Sequence, residues 1–372
     1  MHPIKAWLKF YKCNYQPLFD TETDTSKCNW NIKKIAYYVG CQDNRSDRYR
    51  CFNFASALRK ENIAVDIYDS KSICFLTKNV QYDAVIMFRE NRYGMLHIKK
   101  VIKSLHSKKI PVIYDTDDFT IEDKENRYSK NILKIIRLCD AVTVTTAFLA
   151  ELFVARTGKP VYVIKNTINE RQLYVEEKFS IKKSPDENVI KIVYQSGTST
   201  HNADFKQIEE SLLFVLEKYE NVEFHVFGPL ELSWKFIPYS ERIFNHPYMD
   251  YLKLQCEVSN MDINIAPLVL NDFNNSKSEV KIFEAALLKI PTICSPTEPY
   301  KAIIKNGTNG FVAETVEDWK NAFSELIENN AKRRQIGKNA FNDFVAMFSV
   351  ENEVKNVIKT FERIKCESGS KN

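Results

Sequence analysis

Asn274-Asn275-Ser276-Lys277-Ser278-Glu279-Val280-Lys281-Ile282-Phe283-Glu284-Ala285-Ala286 reads as a polar loop running into a helix. Ser276 and Ser278 are residue types that cap helix starts, because a side-chain oxygen can accept from a first-turn amide. Glu279 suits the positive end of the helix dipole. Lys277, Lys281, Glu284 and Leu288 follow at spacings of four, three and four, which a helix gathers on one face. Val280, Phe283 and Leu287, with Ala286 beside them, form a separate apolar stripe suited to burial. A helix start flanked by lysines attracts anions, and a carboxylate further along can accept from sugar hydroxyls. Together these parts suit a nucleoside diphosphate. An amphipathic helix with a solvated Lys/Glu face fits the same residues.

Working outward, short β-rich runs alternate with helical patterns on both sides of this stretch. Upstream, strands are expected at 33–40, 63–68, 84–88, 111–115, 141–146 and 160–165, with helices between most of them. Residues 169–188 are polar, have no strong period, and end in the turn chemistry of Ser184-Pro185-Asp186-Glu187-Asn188, so the linker is placed here. The alternation restarts with Val189–Tyr194, Val222–Gly228 and Asp262–Leu268, and three helical patterns close the chain. Such alternation predicts parallel sheets with crossover helices. The expected layout is an N-terminal extension (1–32), a first doubly wound domain (33–170), a linker (171–188), a second such domain (189–349) and a closing helix (350–372) that crosses back to the first. Ligands in such sheets bind at the carboxyl ends of the strands, and the cleft between two facing domains is the default site.

Composition narrows the classes. With 372 residues, 44% of them hydrophobic, the chain is long enough for two globular domains. A net charge of +5 with no basic tail argues against a nucleic-acid partner and fits an anionic ligand. The nine cysteines show no zinc-like spacing, so buried thiols in a reducing cytoplasm are expected and a metal is not. No apolar run is long enough to span a membrane. The first twelve residues alternate apolar and lysine positions and either touch a membrane surface peripherally or pack on the protein.

The order of residues in the second half resembles the GT-B-fold retaining glycosyltransferases of the group 1 type, and in particular a subgroup acting on bacterial surface polysaccharides. The resemblance is carried by Glu284, Pro291, Tyr300, Ile303, Ile304, Gly307, Asn309, Gly310 and Trp319, then Arg333, Ile336, Gly337 and Ala340. Upstream it continues through Ser196-Gly197-Thr198, His201, Asp204 and Phe205, Tyr114 to Phe119, and Ile164 to Thr167. It implies two Rossmann-like parallel-sheet domains facing a central cleft, and transfer of a hexosyl or deoxyhexosyl group from a nucleotide-sugar to a glycan or lipid-linked acceptor. It further implies work without a metal or other cofactor, in the cytoplasm or at the inner face of the membrane. Two departures stand out. The family carries a pair of glutamates with seven residues between them; here Ser276 stands where the first, sugar-contacting one is expected. The family's N-domain histidine is not evident, and Asp117 occupies about its place.

On that reading the donor-binding candidates are Gly197, Thr198, His201, Lys277, Ser278, Glu279, Lys281 and Glu284. The lysines and helix amides would hold the diphosphate and Glu284 the ribose. Asp115, Asp117 and Asp118 are the catalytic candidates, one of them orienting or deprotonating the acceptor hydroxyl; a metal-binding Asp-x-Asp is the other functional reading. Around Asn44-Arg45-Ser46-Asp47, the cations Arg48 and Arg50, with Arg89 further on, would meet a phosphate-bearing acceptor. A non-catalytic nucleotide-sugar-binding subunit is the rival from another class.

Overall fold

The computed structural model describes residues 18–40, 46–69, 72–73, 76–78, 81–89, 95–123, 126–179, 188–197 and 201–369. The chain divides into two compact units. The first comprises Met1–Thr167, Ser276–Ser278 and Ser349–Asn372; the second comprises Ile168–Asn275 and Glu279–Phe348.

The first unit holds six parallel strands: β1 (Lys34–Val39), β2 (Ala64–Asp69), β3 (Ala84–Phe88), β4 (Val112–Asp115), β5 (Ala141–Val144) and β6 (Val161–Val163), in the order β2-β1-β3-β4-β5-β6. Helices α1 (Asn53–Lys60), α2 (Met95–Ser107), α3 (Arg127–Leu138) and α4 (Ala147–Thr157) connect them. β1, β3, β4 and β5 are almost wholly buried, as strands covered on both faces must be, and their Val/Ile/Tyr-rich sequences read as continuous apolar runs for that reason. α1 is preceded by a π-helical turn, Arg48–Phe52, capped by the Asp47 carboxylate on the Arg48 amide at 2.8 Å. A regular helix would point Arg48 and Arg50 to different sides; in this widened turn both are buried.

In the second unit run β7 (Ile190–Gln195), β8 (Val222–Phe227), β9 (Ile243–His246), β10 (Ile263–Ala266), β11 (Thr292–Cys294) and β12 (Phe311–Val312), all parallel, in the order β12-β11-β10-β7-β8-β9. Its helices are α5 (Glu170–Phe179), α6 (Asn202–Lys206), α7 (Glu209–Lys218), α8 (Tyr251–Val258), α9 (Asp272–Asn275), α10 (Val280–Leu287), α11 (Glu298–Ile303), α12 (Val316–Glu328) and α13 (Asn330–Met347). Ile192, Phe224, Ile263, Ile293, Trp319 and Phe323 share one core. Val193, Phe227, Val258, Ala285 and Leu288 share another.

Three features differ from the sequence reading. The first half of the expected linker, 171–179, is helix: α5 starts at a reciprocal cap, Gln172 N donating to Asn169 Oδ1 at 3.0 Å and Asn169 N to Gln172 Oε1 at 3.2 Å. Gln172 and Val175 bury its inner side, so the helix belongs to the second unit. The loop before α10 is also redistributed. The N-cap of α10 is Glu279, with no side-chain cap, and neither Ser276 nor Ser278 serves it. Ser276 and Ser278 instead bond within the first unit: Thr146 Oγ1 donates to the Ser276 carbonyl at 3.2 Å, and Asn166 Nδ2 to Ser278 Oγ at 2.9 Å. Finally, α10 is no half-solvated surface helix. Ile282, Phe283, Ala285, Ala286 and Leu287 are buried, and Lys281 and Glu284 are half-buried.

α14 (Val350–Gly369) belongs to the first unit. Val354, Val357, Ile358 and Phe361 enter the same core as Ile35, Phe54 and Leu58. Lys365 Nζ reaches Asp83 at 2.6 Å and Glu367 accepts from the Tyr162 hydroxyl at 2.9 Å. Among the described residues no disulfide forms; Cys28, Cys51, Cys139 and Cys294 are buried thiols. Among them, too, no helix is long and apolar enough to cross a membrane.

Candidate functional site

The second unit's sheet reverses its direction of growth between β7 and β10. Loops leaving those two strands diverge, which opens a crevice at their carboxyl ends. The loop after β7 carries Ser196, Gly197 and His201; Thr198 lies outside the described residues. Gly197 has φ of +74° and Gly228, after β8, of +97°. Both angles are in the region glycine favours, and a Cβ on Gly228 would sit 3.1 Å from the Gly197 nitrogen. The two loops therefore need glycine in order to touch.

Asp204 joins the loops on either side of the switch point. One carboxylate oxygen meets His201 Nδ1 at 2.8 Å. The other accepts from the Val269 amide at 2.9 Å and from Asn274 Nδ2 at 3.0 Å. Asp204 is buried, so these bonds hold the loops with little competition from water. The His201 ring lies beside Gly197. Lys281 Nζ sits 4.9 Å above the ring of Tyr194, whose hydroxyl donates to the His201 carbonyl at 3.4 Å. Burial in that setting pushes the Tyr194 hydroxyl's pKa well up, Asp204's charge adding to it, so it stays protonated as a donor.

One turn beyond Lys281, Glu284 accepts from Gln172 Nε2 at 3.0 Å. It lines a small hollow with Gln195, Tyr251, Leu254, Gln255 and Leu288. Gly197, His201, Lys281 and Glu284 are thus gathered by one unit. Glu279 is buried at the start of α10, while Lys277 and Ser278 group with the first unit. Asp204, Gln172, Gln255 and Asn274 complete the arrangement; none of them is among the site candidates read from sequence, although Asp204 carries part of the family resemblance. The spacing of Asp204 three residues after His201 and the Asn169/Gln172 cap were the available signals.

In the first unit the acidic candidates separate. Asp115, at the end of β4, takes Arg50 Nε at 3.0 Å, Arg50 Nη2 at 2.6 Å and Thr143 Oγ1 at 2.6 Å. Arg50 also donates to the Ile164 carbonyl. Burial pulls the Arg50 pKa down, but Asp115's charge and hydrogen bonds outweigh it and hold the guanidinium above its ordinary value. The two groups satisfy each other inside the fold. Arg48 donates to the Tyr49 hydroxyl and lies 4.1 Å over that ring.

Arg89 follows β3 with φ of +45°, an uncommon conformation for a side chain of its size. Its Nη2 lies 2.5 Å from Asp117 and also contacts Asp118. Side-chain exposure ranks the carboxylates: 3% for Asp115, 9% for Asp117 and 34% for Asp118. Among the described residues no three His, Cys, Asp or Glu side chains converge as a metal site. Asn44 and Arg45 lie outside the described residues.

Most of the chain is similar to several solved structures. HepE from Anabaena in complex with UDP matches with a TM-score of 0.65 at 14% identity, over 89% of this chain and 100% of that one. Sucrose-phosphate synthase from Thermosynechococcus elongatus matches with 0.62 at 13%, over 90% and 100%. The fold is GT-B. TarM from S. aureus matches with 0.57 at 15%, over 78% of this chain and 57% of that one. Within the GT-B chain, residues 207–359 match a family model described as glycosyl transferase-like. That segment includes Lys281 and Glu284 and leaves out Gly197 and His201. No curated protein sequence matches the chain.

Proposed function

We propose that the protein is a retaining glycosyltransferase that moves a hexosyl or deoxyhexosyl group from a nucleotide-sugar, a UDP-sugar first among them, to a glycan or lipid-linked acceptor in bacterial surface-polysaccharide synthesis. The observation that carries this reading is the Asp204 junction, which ties His201 to the loop after β10 at the switch point, with Gly197 beside His201, Lys281 over Tyr194 of β7 and Glu284 beside Gln195 at the end of that strand. Support for UDP comes from HepE, whose structures hold UDP and UDP with glucose.

Glycosyl transfer needs the leaving diphosphate stabilised and the acceptor hydroxyl placed. Backbone amides at Gly197, the His201 ring and the Lys281 ammonium supply positive potential for the diphosphate. Glu284 accepts from the ribose hydroxyls. In the first unit Asp118, the most exposed of the three carboxylates and paired with Arg89, orients the acceptor hydroxyl; Asp115 and Arg50 support the scaffold. The charge on the leaving group is met by these residues without a metal, and the enzyme works in the cytoplasm or peripherally at the inner membrane face.

Release of nucleoside diphosphate from a panel of nucleotide-sugars tests the reading, with Glu284→Ala as the comparison. Expected is turnover with one donor and its loss in the variant, unchanged by excess chelator. Ser276 in place of the sugar-contacting glutamate favours one other reading, a binding subunit without turnover. Donor-induced stabilisation with no release from any donor would establish that instead.

A further inference from the structure

We propose that Gln172 is a positioning residue for Glu284; the inference rests on the donor-binding role given to Glu284 above. Gln172 is 1% exposed and lies on α5, the first helix of the second unit. Its amide orientation is decided by its own helix cap. Oε1 accepts from the backbone N–H of Asn169 at 3.2 Å, so the amino group is turned the other way, and it donates to Glu284 Oε1 at 3.0 Å. The Gln172 carbonyl in turn accepts from Gln255 Nε2 at 2.7 Å. Gln255 is itself buried and lines the same hollow as Glu284. Three helices, α5, α8 and α10, are therefore tied together at this one residue, α10 through its side chain and α8 through its backbone carbonyl.

A neutral amide donor against one carboxylate oxygen restricts the carboxylate plane, and so the direction in which it accepts from hydroxyls, before the ligand arrives. A glutamine that only capped its helix would not do this.

Gln172→Glu separates the two roles. Glutamate serves the cap equally well, but its carboxylate replaces the donor facing Glu284. The two acids would share a proton at low pH and repel when both ionise. UDP is the probe, and the readout is the ratio of variant to wild-type dissociation constant at each pH. The expected ratio is about tenfold at pH 8, the loss of one hydrogen bond to a charged group, falling toward unity near pH 5.5 as the shared proton restores a donor.

Asn169→Ala is the companion variant. It removes the side-chain half of the cap and keeps the backbone N–H that orients Gln172. Its expected result is a lower melting temperature with unchanged UDP affinity. A pH-independent ratio within twofold of wild type in Gln172→Glu, while Glu284→Ala loses UDP binding, overturns the positioning role alone. So does an Asn169→Ala variant that binds UDP as weakly as Gln172→Glu. If Glu284→Ala itself binds UDP like wild type, the donor-site reading fails first.

Discussion

Asp115→Asn puts the division between scaffold and chemistry to a quantitative test. The substitution keeps the side chain's shape and removes its charge. In the native protein Asp115 takes two bonds from Arg50 and one from Thr143, with both ion-pair members almost wholly buried. Neutralising one partner leaves the Arg50 guanidinium desolvated and uncompensated, a change that costs about 3–5 kcal/mol. That is a large fraction of the roughly 5–15 kcal/mol by which a folded domain is stable. For a unit of this size class it corresponds to a fall of about 10 °C in the first melting transition. Arg50→Met should cost a similar amount, since it also strands the Ile164 carbonyl. The double variant should be less destabilised than the sum of the two by at least about 1 kcal/mol, because the second change removes the group orphaned by the first. Urea midpoints for the four proteins measure this, with nucleoside diphosphate release assayed well below every melting point. Asp115→Asn should then keep most of its turnover. A variant that melts with wild type yet loses activity a hundredfold would refute the reasoning and return Asp115 to the chemistry.

Gly337→Ala should destabilise the second unit by roughly 2–4 kcal/mol in urea melts, because a Cβ there would lie 2.0 Å from the Lys289 carbonyl oxygen, a backbone atom that cannot yield; a loss below 0.5 kcal/mol would show that α13 shifts without strain. His225 has its pKa lowered by burial, with neighbouring His246 and Lys191 acting the same way and Glu223 opposing. The unfolded chain then takes up a proton near pH 6.5 before the folded one does, so stability present at neutral pH declines as pH falls below that value. Urea midpoints at pH 7.5 and 5.5 should diverge more for wild type than for His225→Phe; equal declines would sink the assignment. Asp204→Ala should weaken UDP binding more than tenfold in titration calorimetry, as the bond to His201 and two bonds across the switch point are lost; unchanged affinity would place the donor elsewhere. Phe361→Ala should cost about 3–5 kcal/mol, read from thermal melts, because this side chain of α14 is buried in the first unit's core.

Much of the fold was legible in the sequence, and for a local reason. Parallel strands buried on both faces are mostly apolar, so runs such as Ala84–Phe88 and Ala141–Val144 announce themselves, and the spacing between them leaves room only for crossover helices. The place of Gly197 just after a strand and of Lys281 and Glu284 on one helix was legible too, since strand and helix periodicity are local. The α5 helix is not evident in the sequence because its cap lies in a polar stretch and its apolar inner side is thin; contact with α8 and α10 makes it a helix of the second unit.

Partnership between distant residues was beyond the sequence. Asp115, Asp117 and Asp118 are near neighbours of one chemical type, and in the sequence only the family resemblance favours one of them, Asp117. Arg50, 65 residues away, claims the first, and Arg89, 29 residues from Asp118, draws in the other two. The opening stretch shows the same division. Its helix and its charges were determined by the order of residues. That Ser276 to Ser278 bond within the first unit while Glu284 is held by Gln172 was decided by tertiary structure, because burial and hydrogen-bond geometry, unlike periodicity, depend on which segments fold against each other.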